Sequence, residues 1–123
     1  MNTGIVTVVV IAAFIFLRIR NSKGGGKFQN IDAPTLREMQ KNGKIELIDV
    51  RTPNETAAGK IKGAKEINVM DMAFKQKVSN LDKDKTYVVY CRSGQRSRRA
   101  CSIMAKAGFE KLYNLDGGYN TWS

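Results

Sequence analysis

The sequence predicts an α/β fold built on a mainly parallel sheet, with a ligand site at the carboxyl ends of its strands. Three observations carry this prediction. Short apolar runs alternate along the chain with segments of helical spacing. The run from Ile45 to Val50 (Ile-Glu-Leu-Ile-Asp-Val) is close to continuously apolar, as expected of a strand buried on both faces. The stretch from Tyr87 to Cys101 reads as strand, tight loop and helix, with a cysteine at the first junction.

In chain order, no side chain from Met1 to Leu17 is charged, and Ile5 to Leu17 is almost wholly apolar. Seventeen helical residues reach about 26 Å, against a hydrocarbon core of about 30 Å. One single-pass transmembrane helix is therefore expected over residues 1–20, with local thinning and snorkelling of Arg18 and Arg20 closing the gap. A cleaved signal peptide is the alternative, but it needs positive charge before the apolar run and a small-x-small site after it, and both are missing. A buried core helix is a second alternative at this borderline length. The positive residues follow the segment, which sets the N-terminus outside and the rest of the chain in the cytoplasm. Residues 21–27, with Gly24-Gly25-Gly26 at their centre, form a flexible basic linker whose lysines lie near anionic lipid headgroups.

The single domain follows. Asp32 is a good N-cap, Pro34 falls in the first turn and Leu36 and Met39 repeat at helical spacing, so a helix runs to about Asn42-Gly43. The Ile45–Val50 strand leads into Thr52-Pro53-Asn54-Glu55, a capping box with Thr52 as N-cap, and a short helix closed by Gly59. A further short strand lies between Ile61 and Val69, and Met70, Phe74 and Val78 at i, i+4 and i+8 predict a helix over Met70–Val78. Tyr87–Tyr90 is a strand. Beyond the loop, Ala100, Ile103, Met104 and Ala107 form an apolar face while Arg98, Arg99, Ser102 and Lys106 take the other side, and Gly108 ends that helix. Lys111–Leu115 makes a last strand, and Asp116-Gly117-Gly118 a turn into a short terminal helix near Trp122.

The loop after Tyr90 is the candidate site. Such a loop turns backbone N–H groups inward and abuts a helix N-terminus whose first amides lack partners, which makes a concave anion site. Cys91 opens it, and helix N-termini and nearby arginines lower a thiol pKa from about 8.5 to roughly 3.5–7.5. Arg92, Arg96, Arg98 and Arg99 crowd the same eight positions, against the helix dipole, which points to an anionic ligand. The alternative is a buried structural cysteine beside a solvated basic face.

Composition excludes other chemistries. The chain has 123 residues and 42% apolar content, enough for one domain with a modest core. Its formal charge of +10 is spread out, with +4 in residues 1–30 and +6 in the rest, and no aromatic-basic stacking pattern or recognition module marks a nucleic-acid binder. Histidine is absent, which removes Ser-His-Asp triads, Cys-His pairs and histidine metal ligands. The two cysteines lack CxxC spacing, so no zinc site, dithiol, metal or cofactor is expected. Cys101, further along the helix near its apolar side, is read as core packing.

Several fragments together resemble the single-domain rhodanese family of thiosulfate and persulfide sulfurtransferases. Leu47 to Glu55 is similar to that family's motif before the first short helix, Gly59 to Ala64 to its following turn, and Leu115 to Trp122 to its C-terminal signature. Cys91 to Arg96 resembles its active-site loop. The likeness covers Phe28 to Trp122 and implies a rhodanese-like domain over residues 28–123, a five-stranded parallel sheet flanked by helices, and Cys91 as the persulfide-forming residue. It also implies a small anionic sulfur donor, a thiol or cyanide acceptor, and substrate binding by Arg92, Ser93, Gly94, Gln95 and Arg96. Arg51 is a possible rim residue, with a structural pair to Glu55 or Asp49 as the alternative. Asp49 and Glu55 are read as framework. Lys60 stands where many members carry histidine, which bears on the hydrogen bonding of that turn.

Two rivals remain. Cysteine phosphatases also open an anion loop with cysteine, but they need Cys-x5-Arg, whereas this chain has Ser97 at that position and Cys-x4-Arg through Arg96. A non-catalytic, membrane-tethered sulfur carrier or binding module is the other.

Overall fold

The computed structural model describes residues 27–122. The expected transmembrane segment (1–20) and nearly all of the linker (21–27) lie outside the described residues. Among the described residues, no helix is long and apolar enough to cross a membrane.

Strands and helices alternate as β1 (Gln29–Ile31), α1 (Ala33–Asn42), β2 (Glu46–Asp49), α2 (Pro53–Ala57), β3 (Lys65–Glu66), α3 (Phe74–Ser79), β4 (Tyr87–Tyr90), α4 (Gln95–Lys106) and β5 (Leu112–Leu115), followed by a 3-10 turn at Gly118–Thr121. The strands form one five-stranded sheet in the order β1-β5-β4-β2-β3. Every pairing is parallel.

Successive side chains of a strand point to opposite faces, so a run apolar throughout feeds two cores. Tyr87, Val89 and then Cys91 join Ile48, Phe74, Val78, Ala100 and Met104 on the face covered by α3 and α4. Val88 and Tyr90 join Leu36, Met39, Leu47 and Leu115 on the face covered by α1. The unbroken apolar character of Tyr87–Tyr90 is thus a consequence of its central place in the sheet.

Two caps read from sequence form as expected. The Asp32 carboxylate accepts the Thr35 amide at 2.9 Å at the start of α1. At α2, the Thr52 hydroxyl accepts the Glu55 amide and the Glu55 carboxylate accepts the Thr52 amide, at 3.4 and 3.1 Å.

The helix expected from Met70 starts only at Phe74. Met70 and Met72 are 66% and 101% exposed. The Asn68 side chain accepts the Met70 amide and the Asp71 side chain accepts the Ala73 amide, at 2.9 and 2.8 Å. These local bonds offer the backbone an alternative to the helical ladder, and the turn wins. Phe74 and Val78 do share the buried face of the shortened helix. Strand β1 carried no alternating pattern in Gln-Asn-Ile. Its place at the sheet edge is fixed by pairing with β5 and by the Asn114 amide donating to Asn30 Oδ1 at 2.9 Å.

The strand order positions the site. From β2 the chain crosses to β3 at one edge, while from β4 it crosses to β5 on the other side. Connections that diverge this way leave a crevice between the carboxyl ends of β2 and β4. Arg51 to Glu55 leave from one wall of that crevice, and Cys91 to Arg96 from the other.

Candidate active site

Cys91 follows β4 directly, and α4 begins four residues later behind Gly94. Gly94 has φ +111°, a conformation that L side chains rarely adopt, and it has no side chain with which to cap the helix. The cysteine sulfur takes over that duty. Cys91 Sγ accepts the Gly94 N–H at 3.0 Å and the Ser97 hydroxyl at 3.4 Å.

Burial acts on this thiol first and raises its pKa. The hydrogen bonds outweigh it, led by the Ser97 hydroxyl and joined by the amides of Ser97, Gly94 and Ser93, and the net position lies below the ordinary thiol value. Partners fixed in place favour the anion more than desolvation opposes it. Two of the four arginines expected from sequence to act on the thiol, Arg96 and Arg98, are paired with carboxylates. Cys91 is 1% exposed, while Arg92, Ser93 and Gln95 of the same loop are exposed.

The loop is clamped from outside by the C-terminal turn. The Tyr119 amide donates to the Cys91 carbonyl at 2.8 Å and the Asn120 amide to the Arg92 carbonyl at 3.1 Å. Gly118, at φ +61°, passes so close that a Cβ there would stand 2.5 Å from the Cys91 carbonyl oxygen and 2.6 Å from the Arg92 carbonyl. Gly118 therefore lets one backbone lie against another, whereas a Cβ at Gly117 would meet the Thr121 side chain.

Across the crevice, Arg96 Nη1 and Nη2 donate to the two oxygens of Glu55 at 2.7 and 2.8 Å. That paired hydrogen bond from Arg96, opposed by burial and reinforced by Thr52, holds the Glu55 carboxyl down at about 2. Arg98 Nη1 lies 3.7 Å from Asp116. Arg92 and Arg99 are exposed.

Arg51 is 5% exposed and turns inward. Its Nη2 donates to Asp49 Oδ2 and to the Gly59 carbonyl, both at 2.7 Å, and its guanidinium lies 4.4 Å from the Tyr119 ring centre. It therefore ties β2, the turn after α2 and the C-terminal turn together. Lys60 bonds the Ala64 carbonyl at 3.0 Å and Glu66 at 2.8 Å, and Glu66 also accepts the Thr56 hydroxyl at 2.6 Å. The turn at Lys60 is thus closed by an ion pair. Cys101 is fully buried, and burial pushes its thiol up. Both cysteines are free thiols. Among the described residues, no group of three or more Cys, Asp or Glu is placed to hold a metal ion.

The sequence reading assigns Ser97 no role at the sulfur, although a signal was present. Ser97, Ala100, Cys101 and Met104 are the buried positions of α4 and stand at i, i+3, i+4 and i+7. The inward face starts one turn earlier than the apolar residues alone indicate, with a hydroxyl pointing at the sulfur.

The model of the rhodanese-like domain matches residues 32–123. The chain is 33% identical to the Bacillus subtilis protein YqhL over 123 residues, covering 98% of this chain and 93% of that one. It is also 33% identical to the thiosulfate sulfurtransferase GlpE of Pseudomonas aeruginosa over 95 residues, covering 77% and 84%. Among solved structures, a rhodanese-like domain protein from Staphylococcus aureus superposes with a TM-score of 0.71 at 27% identity, over 78% of this chain and 92% of that one.

Proposed function

The chain belongs to the rhodanese-like domain family, and from that premise we propose that it is a sulfurtransferase working through a persulfide on Cys91. The observation that carries this reading is the seat of the Cys91 sulfur, which accepts the Gly94 amide at 3.0 Å and the Ser97 hydroxyl at 3.4 Å at the carboxyl end of a central strand.

The cycle is two displacements. The Cys91 thiolate attacks the outer sulfur of the donor, the donor's S–S bond breaks, and sulfite leaves with the bonding pair when thiosulfate is the donor, or a thiolate when it is a persulfide. Cys91 is left as a persulfide whose terminal sulfur carries the negative charge. In this reading the loop amides from Arg92 to Arg96 hold that charge, as preorganised donors that need no rearrangement in the transition state. An acceptor thiolate or cyanide then attacks the terminal sulfur and returns the Cys91 thiolate, as in covalent catalysis generally. The exposed Arg92 draws anionic donors toward the loop.

We also propose that residues 1–20 hold this domain at the cytoplasmic face of a membrane. The support is the uncharged run from Met1 to Leu17 followed by Arg18 and Arg20. The full chain should resist carbonate extraction from membranes, and a chain lacking residues 1–20 should not; equal extraction of both would end this part of the reading.

The test of the activity is formation of thiocyanate from cyanide, with thiosulfate and glutathione persulfide as donors. Turnover that Cys91→Ser abolishes supports the assignment. Hydrolysis of p-nitrophenyl phosphate without sulfur transfer would replace it with a phosphatase, and an unreactive but stably sulfur-loaded Cys91 would replace it with a carrier.

A further inference from the structure

Building on the sulfur-transfer reading, we propose that Glu55 is a specificity-determining residue. By holding Arg96 in a two-point ion pair at the mouth of the Cys91 loop, it withholds that cation from the donor. The site then favours donors with a single negative charge at the reacting end, an organic persulfide, over doubly charged thiosulfate.

The sequence crowds four arginines around the cysteine, which taken alone promises a strongly cationic mouth. The structure distributes them differently. Both terminal nitrogens of Arg96 are engaged by Glu55, at 2.7 and 2.8 Å, and neither side chain is deeply buried, with 29% and 25% exposure. What faces an incoming donor at that point is a pair close to neutral.

Glu55 is not free to swing away. Its Oε1 also accepts the Thr52 amide at 3.1 Å and the Thr52 hydroxyl at 3.0 Å, so the capping box that starts α2 also aims the carboxylate across the crevice. Arg96 in turn stands within electrostatic reach of the Cys91 sulfur, whose negative charge adds to that of Glu55 in raising the Arg96 pKa. The pair thus lies in the field that governs approach to the nucleophile. An added or removed unit of charge there acts on each donor in proportion to the donor's own charge.

The test uses methanethiosulfonates of one reactive group and three charges: the 2-sulfonatoethyl anion, the neutral methyl compound and the trimethylammonioethyl cation. In each, the Cys91 thiolate attacks the sulfenyl sulfur, methanesulfinate leaves with the electron pair, and a mixed disulfide forms. Glu55→Gln keeps an oxygen to accept from Thr52 and removes only the charge. It should raise the anion-to-neutral rate ratio about three- to tenfold and lower the cation-to-neutral ratio to match. Arg96→Gln should move both ratios the opposite way. The double variant, which removes both charges, should return to within about twofold of wild type.

With the natural donors, Glu55→Gln should raise kcat/KM for thiosulfate relative to glutathione persulfide. Unchanged ratios in Glu55→Gln, or three rates that fall together with their ratios fixed, would leave Glu55 as a mere support of the loop and overturn the proposal. If the wild-type protein turns over neither donor while the methanethiosulfonate ratios shift as expected, the sulfur-transfer reading fails and charge selection stands. Turnover of both donors with fixed ratios gives the reverse.

Discussion

Replacing Ser97 with alanine tests how the Cys91 thiolate is held. The Ser97 hydroxyl lies 3.4 Å from Cys91 Sγ and 3.1 Å from the Gly94 carbonyl, and it has one proton to give. Toward a neutral thiol the proton goes to the carbonyl, and toward a thiolate it turns to sulfur. A hydrogen bond to a charged acceptor contributes about 1.5–3 kcal/mol. Because this donor must leave a second acceptor to serve the sulfur, the lower end applies. At about 1.4 kcal/mol per tenfold change in equilibrium, that moves ionisation of the thiol up by about one pH unit. The assay is the rate of Cys91 alkylation by iodoacetamide as a function of pH, in which Cys101 is silent because burial pushes its thiol up and keeps it neutral. Ser97→Ala should reach a plateau close to that of wild type, with its midpoint about one unit higher and a rate about tenfold lower on the acid side. An unchanged midpoint would show that the amides alone hold the anion. A lower midpoint would contradict the charge balance described here.

Three further outcomes are expected. Gly118→Ala should destabilise the fold by about 1–3 kcal/mol or more and slow Cys91 alkylation, because its Cβ would meet the Cys91 carbonyl at 2.5 Å in a backbone conformation of φ +61°; a wild-type denaturation midpoint would count against that close approach. Cys101→Ala leaves a small void in the core and should destabilise by about 1 kcal/mol while keeping sulfur transfer, whereas a loss equal to that of Cys91→Ser would reveal a two-cysteine mechanism. For Glu55, the folded carboxyl sits at about 2 against an ordinary value of 4.5, so its contribution to stability is complete above pH 4.5 and is lost as pH falls toward 2. The stability difference between wild type and Glu55→Gln in urea unfolding should therefore close over that range, and a difference constant with pH would assign it to packing.

The parts of the fold legible in the sequence were those set by local chemistry. The capping box at Thr52–Glu55, the N-cap at Asp32 and the strand-loop-helix around Cys91 each follow from residues a few positions apart, and each forms, with α4 starting one turn earlier than its apolar residues indicate. Most of what escaped depends on distance along the chain. Strand β1 is three polar-leaning residues that become a strand only because β5, more than eighty residues later, offers an edge to pair with. The helix start at Met70 was misread because Asn68 and Asp71 cap the backbone into a turn, a competition that apolar spacing does not register. The pairing of Arg96 with Glu55 links residues 41 positions apart across two strand ends, so the sequence displayed the arginines but not their neutralisation. The glycines at 117 and 118 were recognisable as a signature, while the physical duty of Gly118, letting the C-terminal turn grip the carbonyls of Cys91 and Arg92, required the fold.

The most direct measurement is mass spectrometry of the reduced full-length protein after exposure to glutathione persulfide, first intact and then as peptides. One added sulfur atom, mapped to Cys91 and passed on when an acceptor thiol is supplied, is the expected result. No addition, addition at Cys101, or a sulfur on Cys91 that no acceptor removes would contradict the account.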